Sequence, residues 1–167
     1  MSLRGRIQTL FGGGKPLFPR EPVQYQPVGV VRNHIREPRI TGWQDTRSDI
    51  ILREELAPAL DGLEGFSHVI VVFHLDRLQV ESSPTIYARI GGEGGREVGV
   101  FASRHPLRPN AIAVSTCQVI HRRQNVLRVK GLDALDGSPV LDLKPYLPPF
   151  DSVPDAKLPS WALEAPP

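Results

Sequence analysis

Residues 67–75, Ser-His-Val-Ile-Val-Val-Phe-His-Leu, contain the longest apolar run of the chain. The run is rich in β-branched side chains and holds neither glycine nor proline, which predicts a strand. Because its apolar residues follow one another without alternation, we expect this strand to be central and buried on both faces for much of its length. The run is much too short to cross a bilayer, so no membrane span is expected.

Shorter strand candidates lie on both sides of this segment. They cover residues 28–31, 48–52, 97–102, 111–120, 126–132 and 139–143. Residues 54–60 are the one helix candidate, and Pro58 limits it to about a turn. Short strands at frequent spacing predict an all-β fold, either a barrel or a sandwich, with short helical turns. The 17 prolines and 15 glycines exclude a helical bundle, because they interrupt long helices.

The length of 167 residues corresponds to one domain. Residues 1–25 combine Gly12-Gly13-Gly14 with mostly basic charges and are expected to form a flexible arm. Residues 153–167 are rich in proline and are expected to form an extended C-terminal tail. The folded domain is therefore predicted over residues 26–152.

The charge balance excludes a strongly polybasic protein, since 20 Lys and Arg against 18 Asp and Glu give a formal net charge of +2. A nucleic acid would therefore have to bind a local basic patch. The candidates are the N-terminal arm, Arg104 with Arg108, and Arg122-Arg123 with Arg128. A single cysteine cannot form an internal disulfide, so we expect a reducing compartment and a cytoplasmic protein.

Neither histidine nor cysteine residues predict a metal site. His68 and His74 lie six residues apart on the predicted central strand, and thus on the same face. At ~3.3 Å per residue they stand roughly 20 Å apart, which is too far to share one ion. The single cysteine, Cys117, lies in an apolar alternation that is typical of a core position.

The densest polar cluster lies in residues 101–115, where two arginines, a histidine, two prolines and an asparagine separate two predicted strands. Pro106 and Pro109 stiffen this loop and fix the directions of Arg104 and Arg108. Rigidly placed guanidinium groups are what recognition of a carboxylate or a phosphate requires. The alternative is a solvated loop whose arginines pair with surface acids.

A second polar segment, Asp133-Ala-Leu-Asp136-Gly137, joins two predicted strands. The Asp-Gly pair predicts a hairpin turn, because glycine accepts a positive φ. The two carboxylates of the segment are also suited to accept hydrogen bonds from a ligand amine.

Three long segments resemble, in order, the motifs of one protein family. Residues 99–115, GVFASRHPLRPNAIAVS, are similar to the family motif GVFATRSPxRPNPIGLS. Residues 63–74, LEGFSHVIVVFH, resemble LxxFSHxxxxxxFH, and residues 132–146, LDALDGSPVLDLKPY, resemble LDxxDGTPVxDIKPY. With the VGVVR segment at 28–32, these motifs resemble the TsaA-like, or TrmO, family over roughly residues 26–152.

The resemblance implies a single small β-barrel that forms a homodimer and binds S-adenosyl-L-methionine. Its characterised members methylate the exocyclic amine of the threonylcarbamoyl-modified adenosine beside the tRNA anticodon. By motif, the cofactor pocket is expected to draw on residues from four segments of this chain. These are Arg32, Asn33 and His34, then Ser67 and His68, then Arg104 and Arg108, and finally Asp133, Leu135, Asp136 and Gly137.

Two other functions stay open from the sequence. The near-neutral charge is also compatible with a methyltransferase that acts on a small molecule. The same barrel is compatible with a non-catalytic module that binds RNA or a nucleotide. No residue is identified as a general base, because methyl transfer from a sulfonium needs mainly orientation and desolvation of the acceptor amine.

Overall fold

The computed structural model describes residues 22–39, 41–78, 86–91 and 94–163, and the fold is given for these ranges. They form eight strands, most of them short. The strands are β1 Gly29–Arg32, β2 Arg47–Leu52, β3 His68–His74, β4 Tyr87–Ile90, β5 Arg96–Gly99, β6 Ile112–Arg123, β7 Val126–Lys130 and β8 Pro139–Pro145. Six strands close into an antiparallel barrel in the order β1-β2-β7-β6-β3-β8, and β4 pairs with β5 in a separate hairpin. The predicted all-β barrel is confirmed.

Five short helical elements connect or follow the strands in the described residues. Three are 3-10 helices, Glu54–Leu60, Leu63–Gly65 and Val100–Ala102, and two are α-helices of one turn, Pro148–Asp151 and Ser160–Leu163. The predicted bounds 54–60 are confirmed, but the element is a 3-10 helix of seven residues that continues through Pro58, longer than the single turn expected. None of these helices is long and apolar enough to cross a membrane.

Most strand predictions hold within a few residues, with two exceptions. The strand predicted over 97–102 ends at Gly99, because the chain turns there into the 3-10 helix Val100–Ala102. Strand β4 was not predicted, since its four residues, Tyr-Ala-Arg-Ile, are too few to carry a clear alternation.

The expectation that β3 is buried on both faces is wrong. Val69, Val71 and Phe73 are completely buried in the barrel, whereas Ile70 and Val72 are half-buried on its outer surface. Strand residues alternate between the two faces of a sheet, and only one face of a closed barrel lines the core. Alternate residues of the apolar run thus pack in the core, and the residues between them form an apolar strip on the outer surface of the barrel.

The barrel closes where β1 meets β8, and this junction requires glycine. Gly29 pairs with both Leu52 of β2 and Val140 of β8. A Cβ atom at position 29 would lie 2.5 Å from the carbonyl oxygen of Ile51. No larger residue fits this approach without moving the backbone of β2.

The described residues before and after the barrel add no strand to it. Residues 22–27 have no regular structure and are mostly exposed, and residues 1–21 of the predicted arm lie outside the described residues. The predicted extended tail contains the helical turn Ser160–Leu163, which brings the ring of Trp161 within 5.9 Å of the Arg96 guanidinium. This contact joins the tail to the β4-β5 hairpin.

Two arginines of the expected basic patch stabilise the barrel instead. Arg122 donates to the carbonyl oxygen of Ala57 at 3.0 Å and lies 2.7 Å from a carboxylate oxygen of Asp61, so it holds the 3-10 segment against the end of β6. Arg128 of β7 donates two hydrogen bonds of 2.6 Å to Asp49, its partner on β2. These hydrogen bonds hold the pKa of the Asp49 carboxyl below its usual value.

We expect Arg128→Ala to lower the free energy of unfolding by at most about 1 kcal/mol near neutral pH, since the ion pair is largely exposed. The folded pKa of Asp49 is depressed, so this contribution is present above the unfolded pKa of about 3.9 and is lost as the pH falls through the folded value. Urea unfolding of both proteins across this range should show the difference shrinking in acid. A difference that does not depend on pH would contradict the assignment.

Candidate functional site

A buried carboxylate organises the end of the barrel where β1 ends and β8 begins. The side chain of Asp136 is only 5% exposed. One oxygen accepts a hydrogen bond from the backbone N–H of Asn33 at 3.0 Å, and the other lies 3.0 Å from the guanidinium of Arg36 and 3.7 Å from that of Arg32. Asp136 thus fastens the loop after β1 to the loop before β8.

The turn that carries Asp136 is held from a third direction by Arg77. Its guanidinium donates to the carbonyl oxygens of Asp136 and of Arg36, the latter at 3.2 Å. Gly137 has a φ of +92°, as predicted, but the turn is not the predicted hairpin, because the strands that it joins, β7 and β8, are not neighbours in the barrel. A Cβ atom at Gly137 would lie 3.1 Å from the Arg77 guanidinium. Two arginines therefore face the carboxylate and a third holds the backbone of its turn, which leaves an excess of positive charge around Asp136.

Asn33 is a positioning residue. Its side-chain N–H groups donate to the hydroxyl of Ser48 and to the carbonyl of Ala134, both at 2.9 Å. Its amide oxygen accepts from the backbone N–H of Ile35, also at 2.9 Å. With these bonds the Asn33 amide fixes the loop after β1 and leaves the neighbouring His34 exposed.

Asp133 is arranged differently from Asp136. It is exposed, and one of its carboxylate oxygens accepts a hydrogen bond from the Ser115 hydroxyl on β6. The contact orients the carboxylate, and its second oxygen makes no hydrogen bond within the described part of the chain. Leu135, also predicted to line the cofactor pocket, lies between Asp133 and Asp136 in the chain and is half-buried.

The two arginines of the loop before β6, both predicted to bind the cofactor, have different surroundings. Arg108 donates to the carbonyl oxygens of Ser103 at 2.9 Å and of His105 at 3.4 Å, so it holds its own loop in place. Arg104 is exposed and makes no hydrogen bond or ion pair among the residues described. Of the two, Arg104 has the guanidinium that is open to a ligand.

Ser67 and His68 lie apart from the Asp136 turn. They stand at the beginning of β3, whereas the turn is close to its end, because Phe73 pairs with Val140. The His68 ring contacts the Ser67 hydroxyl at 2.9 Å and lies 6.3 Å from the ring of Tyr146. Within one copy of the chain, the loop after β1 and the Asp136 turn thus contact each other, and Ser67 and His68 lie elsewhere. Among the described residues, Arg104 and Arg108 make no hydrogen bond or ion pair to the Asp136 turn.

Sequence reasoning missed Arg36 and Arg77. Both lie outside the motifs that carry the family resemblance, and Arg77 follows β3 by only a few residues. Their role depends on loops that come together from distant parts of the chain, which no local pattern reveals. The two small hydroxyl partners, Ser48 and Ser115, were also missed, because buried serines on strands leave no periodic signal.

The potential metal ligands of the described residues are not clustered, and the single thiol is buried. No group of three or more His, Cys, Asp or Glu side chains there is suited to hold a metal ion. Burial, with a smaller contribution from the charge of Asp133, raises the pKa of the Cys117 thiol to about 12. Cys117 is a core residue and not a nucleophile.

We expect the Cys117 thiol to be unreactive toward a disulfide reagent in the folded protein at mildly alkaline pH, because it is both inaccessible and protonated. Reaction should become stoichiometric once urea unfolds the chain. Absorbance of the released thiolate measures both states. Rapid reaction of the folded protein would contradict the buried position of this residue.

Comparisons with known proteins agree with this geometry. A family model described as the tRNA-methyltransferase O N-terminal domain matches residues 31–152. An S-adenosyl-L-methionine-binding protein of Archaeoglobus fulgidus is 36% identical over 77% of this chain and 92% of its own length. The tRNA (adenine(37)-N6)-methyltransferase of Escherichia coli is 37% identical over 86% of this chain and 65% of its own length.

The fold comparison gives the same result. A crystal structure of TrmO from Pseudomonas aeruginosa matches with a TM-score of 0.70 and 30% identity, covering 90% of this chain and 65% of that chain. This chain therefore spans about two thirds of these bacterial relatives and nearly all of the archaeal one. The family model covers the barrel from β1 to the helical turn after β8. The chain therefore belongs to the tRNA-methyltransferase O family, and its barrel corresponds to the N-terminal domain of that family.

Proposed function

We propose that this protein is an S-adenosylmethionine-dependent methyltransferase that modifies tRNA. Its acceptor is the exocyclic N6 amine of the threonylcarbamoyl-modified adenosine beside the anticodon. The observation that carries the proposal is the match of the family model over the barrel, together with the identity to the Escherichia coli tRNA (adenine(37)-N6)-methyltransferase. With a tRNA substrate, we also infer a cytoplasmic protein.

The end of the barrel around Asp136 offers groups that fit the cofactor. S-adenosylmethionine carries a carboxylate, an ammonium and two ribose hydroxyls. The side chains of Arg32 and Arg36 are 56% and 72% exposed, so guanidinium N–H groups stay open to a second carboxylate besides Asp136. Asp133 presents a carboxylate oxygen to an ammonium or hydroxyl donor. Arg104 adds a further open guanidinium from the neighbouring loop.

When bound, S-adenosylmethionine supplies a methyl group on a positively charged sulfur. An amine nitrogen can attack the methyl carbon directly, and the sulfur leaves as a neutral thioether. The protein's contribution is then to hold the acceptor amine in line and to exclude water, and rigid loops on a barrel can do both. A nucleophilic side chain is not required. This agrees with the buried, protonated state of Cys117.

We expect the purified protein to transfer a labelled methyl group from S-adenosylmethionine to tRNA that carries the threonylcarbamoyl modification. Mass spectrometry of the digested tRNA should show a modified adenosine that is heavier by one methyl group. The matched control is the same tRNA transcribed without modification, which should accept little label, because it lacks the threonylcarbamoyl carboxylate.

Two results would contradict this activity. Cofactor binding without methylation of any tRNA would favour a small-molecule acceptor. Absence of cofactor binding in calorimetry with S-adenosylhomocysteine would favour a non-catalytic module.

Arg104→Ala should weaken the binding of S-adenosylhomocysteine by roughly 10-fold to 100-fold, since a hydrogen bond to a charged group contributes about 1.5–3 kcal/mol. The fold should be unaffected, because Arg104 is exposed and makes no hydrogen bond to another described residue. Arg123→Ala, at the exposed end of β6, is the matched control and should bind normally. Calorimetry on the three proteins measures this. Unchanged affinity of Arg104→Ala would assign Arg104 to the tRNA substrate instead.

We also propose that the protein forms a homodimer through the outer surface of β3 and β6. Val72 pairs with Val114 there, and His74 pairs with Ile112. Val114 and Ile112 are 43% and 38% exposed, and with the half-buried Ile70 they form a continuous apolar strip. Such a strip on the outside of a barrel is suited to a two-fold contact with its own copy.

Val114→Glu should convert a wild-type dimer into a monomer, because the contact would bury one carboxylate from each copy without a partner. Val153→Glu, at a residue that is 68% exposed after β8, should leave the dimer intact. Light scattering of the three proteins at micromolar concentration decides. A wild-type mass equal to that of one chain would overturn the dimer.

A further inference from the structure

A cleft lies between the β4-β5 hairpin and the arginine-rich loop, and none of its lining residues belongs to the Asp136 turn. Its volume is about 350 Å³. It is lined almost entirely by carbon atoms, from Ile86 and Tyr87, Gly99, the helix Val100–Ala102 and Pro109. The backbone N–H of Val100 donates to the carbonyl of Ile86 at 2.8 Å and holds the two walls together.

Two aromatic rings at this cleft are exposed to an unusual degree. The side chains of Phe101 and Tyr87 belong to residues that are 79% and 63% exposed. Neither belongs to the core of the barrel. Large exposed apolar groups clustered at a concave surface indicate a binding site, whereas a single exposed ring would not.

Positive charge borders the same rings. The Arg108 guanidinium lies 6.0 Å from the centre of the Phe101 ring, and it is held there by its bonds to the loop backbone. Arg104, also exposed, lies between Phe101 and Pro109 in the chain. Arg89 shares the face of β4 that carries Tyr87, because strand residues two apart point to the same side. One acidic residue, Glu97, stands opposite Arg89.

Exposed aromatic rings beside arginines match the chemistry of single-stranded nucleic acid. Bases stack on aromatic side chains, and the phosphates between them pair with guanidinium groups. An apolar segment of a protein partner would pack on the rings but would leave the arginines beside them without a counter-charge.

We propose that this cleft binds an unstacked base of the RNA loop that contains the methylated nucleotide. The inference rests on the proposed tRNA substrate, and it adds a subsite for a neighbouring base to the cofactor site. The loop of residues 101–110 links the two, because it runs from Phe101 in the cleft through Arg104 to the start of β6. Binding of a flanking base there holds the loop of the RNA open while the target amine is presented.

The test compares the full-length protein with Phe101→Ala and Phe101→Tyr. The probe is a fluorescein-labelled RNA hairpin with the loop of a tRNA anticodon arm, and its Kd is measured by anisotropy at fixed salt. Since stacking contributes about 1–3 kcal/mol per base, Phe101→Ala should weaken RNA binding roughly 5-fold to 100-fold and Phe101→Tyr should restore it. Phe150→Ala is the matched control, since Phe150 is 82% exposed but lies beyond β8.

A second probe isolates the base. The same hairpin with abasic loop nucleotides keeps the phosphates, and it should bind wild type as weakly as the normal hairpin binds Phe101→Ala. The affinity for this abasic hairpin should be the same in Phe101→Ala as in wild type, because the base that would stack on Phe101 is already missing.

Three outcomes would overturn the proposal. They are equal RNA affinity of Phe101→Ala and wild type, loss of S-adenosylhomocysteine affinity with RNA affinity unchanged, and loss of both without recovery in Phe101→Tyr. The second would assign the cleft to the adenine of the cofactor. Failure of the proposed methyltransferase function would give a different result from failure of this base subsite. In that case wild type would bind RNA through Phe101 but would methylate no tRNA.

Discussion

The buried carboxylate of Asp136 is the group around which this end of the barrel is built. A carboxylate enclosed to this degree loses most of its hydration, which costs several kcal/mol unless charged and hydrogen-bonding partners replace the water. The backbone N–H of Asn33 and the guanidinium groups of Arg36 and Arg32 are those partners. The chain can satisfy Asp136 only when the loop after β1 and the loop before β8 are both in place. One interaction therefore sets the position of two functional segments.

The barrel makes this arrangement rigid. Its strands are closed by the β1-β8 pairing at Gly29, and the loops that follow β1 and precede β6 and β8 emerge from fixed strand ends. The loop before β6 is stiffened further by Arg108, which bonds to its backbone. Loops fixed at both ends can hold a ligand without a glycine-rich phosphate loop or a metal. The excess of arginines over acids then attracts the anionic groups that a methyl donor and an RNA carry.

Local sequence patterns predicted the strands but not the site's electrostatics. The strand β3 and the positive φ of Gly137 are confirmed, because each depends on neighbours in the chain. The hairpin predicted at Asp136-Gly137 is wrong, because β7 and β8 pair with other strands. The burial of both faces of β3 was predicted wrongly, since the pattern does not reveal that a closed barrel has only one interior. The contacts of Arg36 and Arg77 depend on loops far apart in sequence. The same is true of Arg122 and Arg128, which look like a basic patch and in fact pair within the fold.

The cofactor site proposed for this end of the barrel depends on Asp136, because its carboxylate holds the loop after β1 against the turn before β8. Calorimetry with S-adenosylhomocysteine on Asp136→Ala measures this dependence. Asp142→Ala is the matched control, an aspartate on β8 that is paired with Lys144 at 2.6 Å on the outer surface. We expect Asp136→Ala to bind at least about tenfold more weakly, since hydrogen bonds to charged groups contribute about 1.5–3 kcal/mol each, while circular dichroism shows that the barrel is still folded. A folded Asp136→Ala protein that binds as tightly as the Asp142→Ala control would contradict it.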